Sequence, residues 1–93
     1  MVKNNVKKED EKMNEYFAEV TITGKDREIS FGMVIDYESK DKLLDEVLYA
    51  CKTSEISGLI YLQVVYTNNG EWCDTDEDAA IVSEDYSKIE IQM

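Results

Sequence analysis

Gly58-Leu-Ile-Tyr-Leu-Gln-Val-Val-Tyr-Thr67 is the most apolar run in the chain, and both of its alternation phases are largely apolar. Leu59, Tyr61 and Val65 fall in one phase; Ile60, Leu62, Val64 and Tyr66 fall in the other. A strand apolar on both sides belongs inside a sheet, with neighbours along each edge and cover on at least one face. The run leads into Asn68-Asn69-Gly70, a hairpin signal because Asn and Gly both tolerate positive φ. The fold is therefore read outward from this strand in both directions.

Upstream, two shorter runs alternate. In Tyr16–Thr23 the phase Tyr16, Ala18, Val20, Ile22 is apolar, while Glu19, Thr21 and Thr23 are polar. Phe17 breaks that pattern and implies partial cover on the second side. After the turn residues Gly24-Lys25-Asp26-Arg27, Glu28–Tyr37 sets Ile29, Phe31, Met33, Ile35 and Tyr37 against Glu28, Ser30, Gly32 and Asp36. Two such runs across a short Gly-containing turn predict an antiparallel hairpin. At Ser39 the period changes from 2 to 3.6. Leu43, Leu44, Val47, Leu48 and Cys51 form a stripe one helix face wide, with Ser39 or Asp41 as the cap and an end near Thr53. The stripe is expected to pack on the sheet face holding Ile29, Phe31 and Met33. Leu44, Val47, Leu48, Leu62, Val64 and Phe31 are the expected core.

Downstream of the hairpin turn, Glu71–Asp74 is expected to resume pairing, with Trp72 as its largest packing group. The acidic stretch that follows reads as an open, solvated loop. Ala79–Ser83 is a short apolar patch compatible with a half-turn of helix or a few residues of strand. Ser87–Met93 alternates again, with Ile89, Ile91 and Met93 inward, and reads as a terminal strand. The expected architecture is α+β: an antiparallel sheet with one helix on one face, in the order β-β-α-β-β-β. Residues 1–14 read as a mobile tail and residues 15–93 as a single domain, with no internal repeat or linker to mark a second.

Charge narrows the choice of partner. The 93 residues carry a net charge of −11, and residues 13–93 alone hold eighteen acidic groups against six basic ones. Phosphate binding needs Lys or Arg to replace counterions, so direct contact with nucleic acid or anionic lipid is not expected. A basic protein surface is the complementary partner. There is no apolar run of about 18 residues to span a membrane. The N-terminal lysines are not followed by an apolar segment, so no secretory signal is expected. Cys51 and Cys73 read as reduced, and the chain as cytoplasmic.

Catalytic constellations are lacking. With no histidine in the chain, the commonest general base and metal ligand is missing. No Gly-rich phosphate loop and no G-x-S-x-G occurs, and the acids around Cys73 disfavour a reactive thiolate. The expectation is a protein that is not an enzyme and carries no cofactor.

The candidate site is acidic. From Glu71 to Asp85 there are seven acidic residues and no basic one. Asp74-x-Asp76-x-Asp78, with Asp85 in the twelfth place, resembles the calcium loop of the EF-hand family. That resemblance implies Asp74, Asp76 and Asp78 as first ligands and Asp85 as the last. The sequence departs from it at the sixth place, which is Ala79 rather than glycine, and at the twelfth, where glutamate is usual. The same residues support a different reading. In an extended chain, alternate side chains lie about 7 Å apart, a spacing similar to successive phosphates. Glu71, Asp74, Asp76, Glu77, Asp78, Glu84 and Asp85, joined by Trp72 from the hairpin and by Asp36 and Glu38 from the second strand, would then meet the basic groove of a nucleic-acid-handling protein. In size, acidity and helix-on-sheet organisation the chain resembles the small acidic anti-CRISPR proteins of phages. It is similar in style to bacterial immunity proteins that cap toxin nucleases. The resemblance implies a stoichiometric inhibitor in a bacterial cell, acting on a CRISPR effector or another nuclease.

Overall fold

The computed structural model describes residues 15–36 and 41–92. The tail reading of residues 1–14, the Ser39 cap, Tyr37, Glu38 and Met93 lie outside them. The elements run β1 (Glu15–Thr23), β2 (Glu28–Asp36), α1 (Asp41–Ser54), β3 (Gly58–Asn68), β4 (Glu71–Val82) and β5 (Ile89–Gln92). All strand pairs are antiparallel, in the spatial order β2-β1-β3-β4-β5. The chain is thus α+β, and the doubly apolar run is the middle strand.

Register explains which side chains share a face. Val20 lies opposite both Phe31 and Val64, and Ile60 lies opposite Ala80. Ala18, Val20 and Ile22 of β1 join Ile60, Leu62, Val64 and Tyr66 of β3 and Ala80 and Val82 of β4 in one buried layer. Helix α1 closes this layer with Leu43, Val47 and Cys51, spaced by one helical turn and all buried. Leu44 and Leu48, expected as core, are half-buried flanks of that row, as is Phe31 on β2, the outermost strand. The helix lies nearest β2.

Two turns fix the geometry. Asn69 (φ +54°) and Gly70 (φ +83°) form a two-residue connection of mirror-image type, whose twist suits the strands it joins. At the end of α1 the amide of Ile56 donates to the Cys51 carbonyl (2.9 Å) and that of Glu55 to the Lys52 carbonyl (3.3 Å). This pattern places Glu55 in the left-handed region at φ +57° and drives Ile56 into the core. Gly58 (φ +81°) then starts β3.

The stretch after the hairpin corrects the sequence reading. The acidic segment is not a loop: β4 is continuous from Glu71 to Val82 and absorbs both the aspartates and the Ala79–Val82 patch. A bulge between Tyr66 and Thr67 leaves Cys73 as the extra residue, so Thr67 faces Trp72 while Tyr66 faces Asp74. Trp72 is not a packing group, being 67% exposed. The last strand is shorter than expected. Ser83–Lys88 forms a turn in which Ser83 Oγ accepts from the Ser87 and Lys88 amides, at 3.0 and 3.1 Å. Within the described part of Ser87–Met93, Ile89–Gln92 pairs with β4.

Candidate functional site

Because β4 is extended, its acidic side chains are sorted by parity. Asp74, Asp76 and Asp78 lie opposite Tyr66, Val64 and Leu62, and therefore on the helix-bearing face, half-buried at the margin of the core. Glu71, opposite Asn68, shares that side. Trp72, Thr75 and Glu77 point to the other face. Asp76 and Asp78 border a groove of about 150 Å³ between the start of α1 and the β3–β5 half of the sheet, floored by Leu62, Val64 and Ile91. Asp41, at the first turn of α1, stands on its opposite wall.

The backbone at this place is exceptional. Strand β5 pairs only with Ala79–Val82, so among the described residues no strand covers the outer edge of β4 from Glu71 to Asp78. Alternate residues there direct their N–H and C=O groups away from the sheet. An edge with free length is a template for another strand unless charge or cover prevents it.

The remaining candidate residues separate. Asp36 ends β2 on the opposite face, three strands away from β4. Glu84 is exposed in the turn after β4. Asp85 is engaged in that turn, where its Oδ1 accepts from Ser87 Oγ (2.7 Å) and from the Ser87 amide (3.1 Å). These bonds, led by the Ser87 hydroxyl, hold its carboxyl below the usual range. Glu38 lies outside the described residues.

A calcium loop does not fit this geometry. Two residues of strand span about 7 Å, so Asp74 and Asp78 are about 13 Å apart along β4, too far to share one ion. Asp85 lies beyond the strand and is occupied by serine. Among the described residues no three His, Cys, Asp or Glu side chains cluster as a metal ion requires. Cys51 and Cys73 are both free; burial pushes the Cys51 thiol up, and Cys73 is exposed at the bulge.

The second face holds what the sequence reading passed over. Six of the seven large hydrophobic side chains that are well exposed lie on it: Phe17, Val34, Leu59, Tyr61, Trp72 and Ile81. Their signal was present as the off-phase apolar residues of each strand, which become one surface only once the strand order is known. A polar cluster sits among them. Glu77 accepts from Gln63 Nε2 at 3.1 Å, and its carboxylate beside the Tyr61 hydroxyl pushes the Tyr61 pKa up. No helix of the described residues is long and apolar enough to cross a membrane. Comparison with protein-family models, curated proteins and solved structures gives no match.

Proposed function

We propose that the chain is a non-enzymatic, cytoplasmic binding domain that uses β4 to engage a basic protein. By doing so it occludes that partner's nucleic-acid site, in the manner of an anti-CRISPR or a nuclease immunity protein. The observation that supports this reading is the row of Asp74, Asp76 and Asp78 at regular spacing on one side of β4, along a stretch of edge beside which no described strand lies. Strand addition to such an edge draws affinity from main-chain hydrogen bonds and specificity from alternate side chains. An incoming strand with Lys or Arg at every second position would meet the three carboxylates in register. Each exposed ion pair contributes about 0–1 kcal/mol, so specificity comes from the row rather than from any one residue.

The test is affinity capture from a bacterial lysate at low and then moderate salt, followed by a nuclease assay on what is captured. A nuclease that elutes with salt, is inhibited by the chain and is displaced by nucleic acid supports the reading. An empty bait at low salt refutes it. The D74N/D76N/D78N variant should associate more slowly and with a flatter salt dependence. Wild-type association at low salt would reduce the acidic strand to a solubility device.

A further inference from the structure

We propose that the uncovered sheet face is a docking surface for a protein partner whose contact surface carries apolar side chains on either side of lysine and arginine. The inference rests on the reading above that the partner is basic, and it places the main contact on the face opposite Asp74, Asp76 and Asp78.

The first argument is exposure. Val34 and Leu59 are each 66% exposed and Trp72 67%, on a face that no described helix or strand covers. The register sets these side chains in two groups, Phe17, Val34 and Trp72 toward one end and Leu59, Tyr61 and Ile81 toward the other, and exposed apolar groups of this size are typical of interaction sites. Strand lengths and spacings make the face about 700 Å², close to the roughly 800 Å² that each partner contributes to a standard interface.

The second argument is charge, which selects the occupant. The strand positions on this face carry Glu15, Glu19, Glu28, Asp36, Glu77 and Glu90, and not one Lys or Arg. A second copy laid face to face would bring these acids together in a drying interface, and anionic membrane would repel them. Basic side chains set opposite Glu19 and Glu77 in the middle of the face neutralise them, which leaves the apolar contacts on either side to supply the affinity.

The third argument is preorganisation. Trp72 Nε1 donates to Thr75 Oγ1 at 2.8 Å, so this anchor is held before anything binds. The Phe17 ring lies directly over Gly32: a Cβ added there would stand 2.3 Å from its Cζ. Glycine on an outer strand with an aromatic ring laid across it keeps this part of the face flat and smooth. Anchors fixed in advance lose little entropy on binding, and aromatic side chains are the usual hot spots. Near Leu59, Tyr61 and Thr23 a depression of about 580 Å³ offers space for an apolar side chain of the partner.

The probe is a synthetic amphipathic helical peptide, leucine on one face and lysine around it, with a glutamate counterpart as control. Trp72 is the sole tryptophan and reports cover through a blue shift. The lysine peptide should shift the emission saturably at low salt, and the glutamate peptide should not. A V34S/L59S variant, changed at two exposed sites and checked for unaltered circular dichroism, should weaken binding by about tenfold or more. D74N/D76N/D78N should stay within about twofold of wild type, because those side chains face the other way.

If the triple variant loses binding while V34S/L59S keeps it, this proposal fails and the basic-partner reading survives. If neither peptide binds, or both bind equally, the charge argument fails with it. A doubling of mass by light scattering with the same blue shift would assign the face to a second copy. A change in Trp72 emission in K3Q/K7Q/K8Q/K12Q without peptide would assign it to the chain's own N-terminal segment. Either result overturns the proposal.

Discussion

Replacing Asp78 by leucine should make the protein more stable. Asp78 stands opposite Leu62 on β3, half-buried, with Leu62 and Ile91 lining the same groove. A fully buried leucine contributes about 1.5–3 kcal/mol relative to an exposed one, so half-burial in the groove gives about 1 kcal/mol. Leucine also suits a strand better than aspartate, and one negative charge leaves a body of net −11. The expected gain of about 1 kcal/mol corresponds to a rise of roughly 4–8 °C in Tm for a domain of this size. Urea denaturation followed by circular dichroism measures it, and D78N serves as the charge-only control, expected to gain a few tenths of a kcal/mol. The reasoning is refuted if D78L loses about 1 kcal/mol or more, which would show that the fold itself requires the carboxylate. If the gain is found, folding does not account for Asp78.

Glu55→Gly should stabilise by about 0.5–1 kcal/mol, because the left-handed φ of +57° strains glutamate and not glycine; a chemical-denaturation midpoint that falls instead would contradict the helix-end geometry. Leu43→Ala should cost about 2–5 kcal/mol by the same assay, since Leu43 is 5% exposed beneath the helix. Tyr61 has a raised folded pKa, so the stability it contributes is complete below the ordinary tyrosine value and fades as pH rises through the folded one. E77Q should bring that titration back down, read as the tyrosinate absorbance difference from Y61F. Asp85 has a depressed folded pKa, so its contribution is complete above the ordinary aspartate value and is lost as pH falls through the folded one. S87A should weaken this acid-side dependence, seen as a flatter stability curve between pH about 5 and 2.

Much of the fold was legible because burial and turn chemistry leave marks on sequence. The middle strand announced itself by apolar residues in both phases, the hairpin by Asn69-Gly70, and the helix by the change of period at Ser39. The first half of β4 left no such mark. Asp74, Asp76 and Asp78 alternate with Thr75 and Glu77, so neither face shows an apolar period, and carboxylates disfavour strand on propensity alone. What makes this segment a strand is tertiary: a two-residue turn fixes its register against β3, and the eleven residues of β3 supply the ladder. Reading turn length together with the length of β3 would have extended β4 past Asp74. The apolar patch was hidden for another reason. Phe17, Leu59 and Ile81 are each unremarkable in their own strand, and that they share one face depends on the pairing order β2-β1-β3-β4-β5.

Strand β4 joins the two surfaces. Its even-numbered residues Asp74, Asp76 and Asp78 border the helix, its Trp72, Thr75 and Glu77 border the open face, and between them runs an edge beside which no described strand lies. An edge this long would ordinarily invite a second copy to add its own strand. Here such an addition would set carboxylate beside carboxylate on both faces at once, which makes the acids a barrier to self-pairing. For the basic partner proposed above the same repulsion turns to attraction, so one feature would exclude the wrong partner and admit the proposed one. This accounts for a costly choice: acidic side chains on a core-facing row, where leucine or valine would fold better.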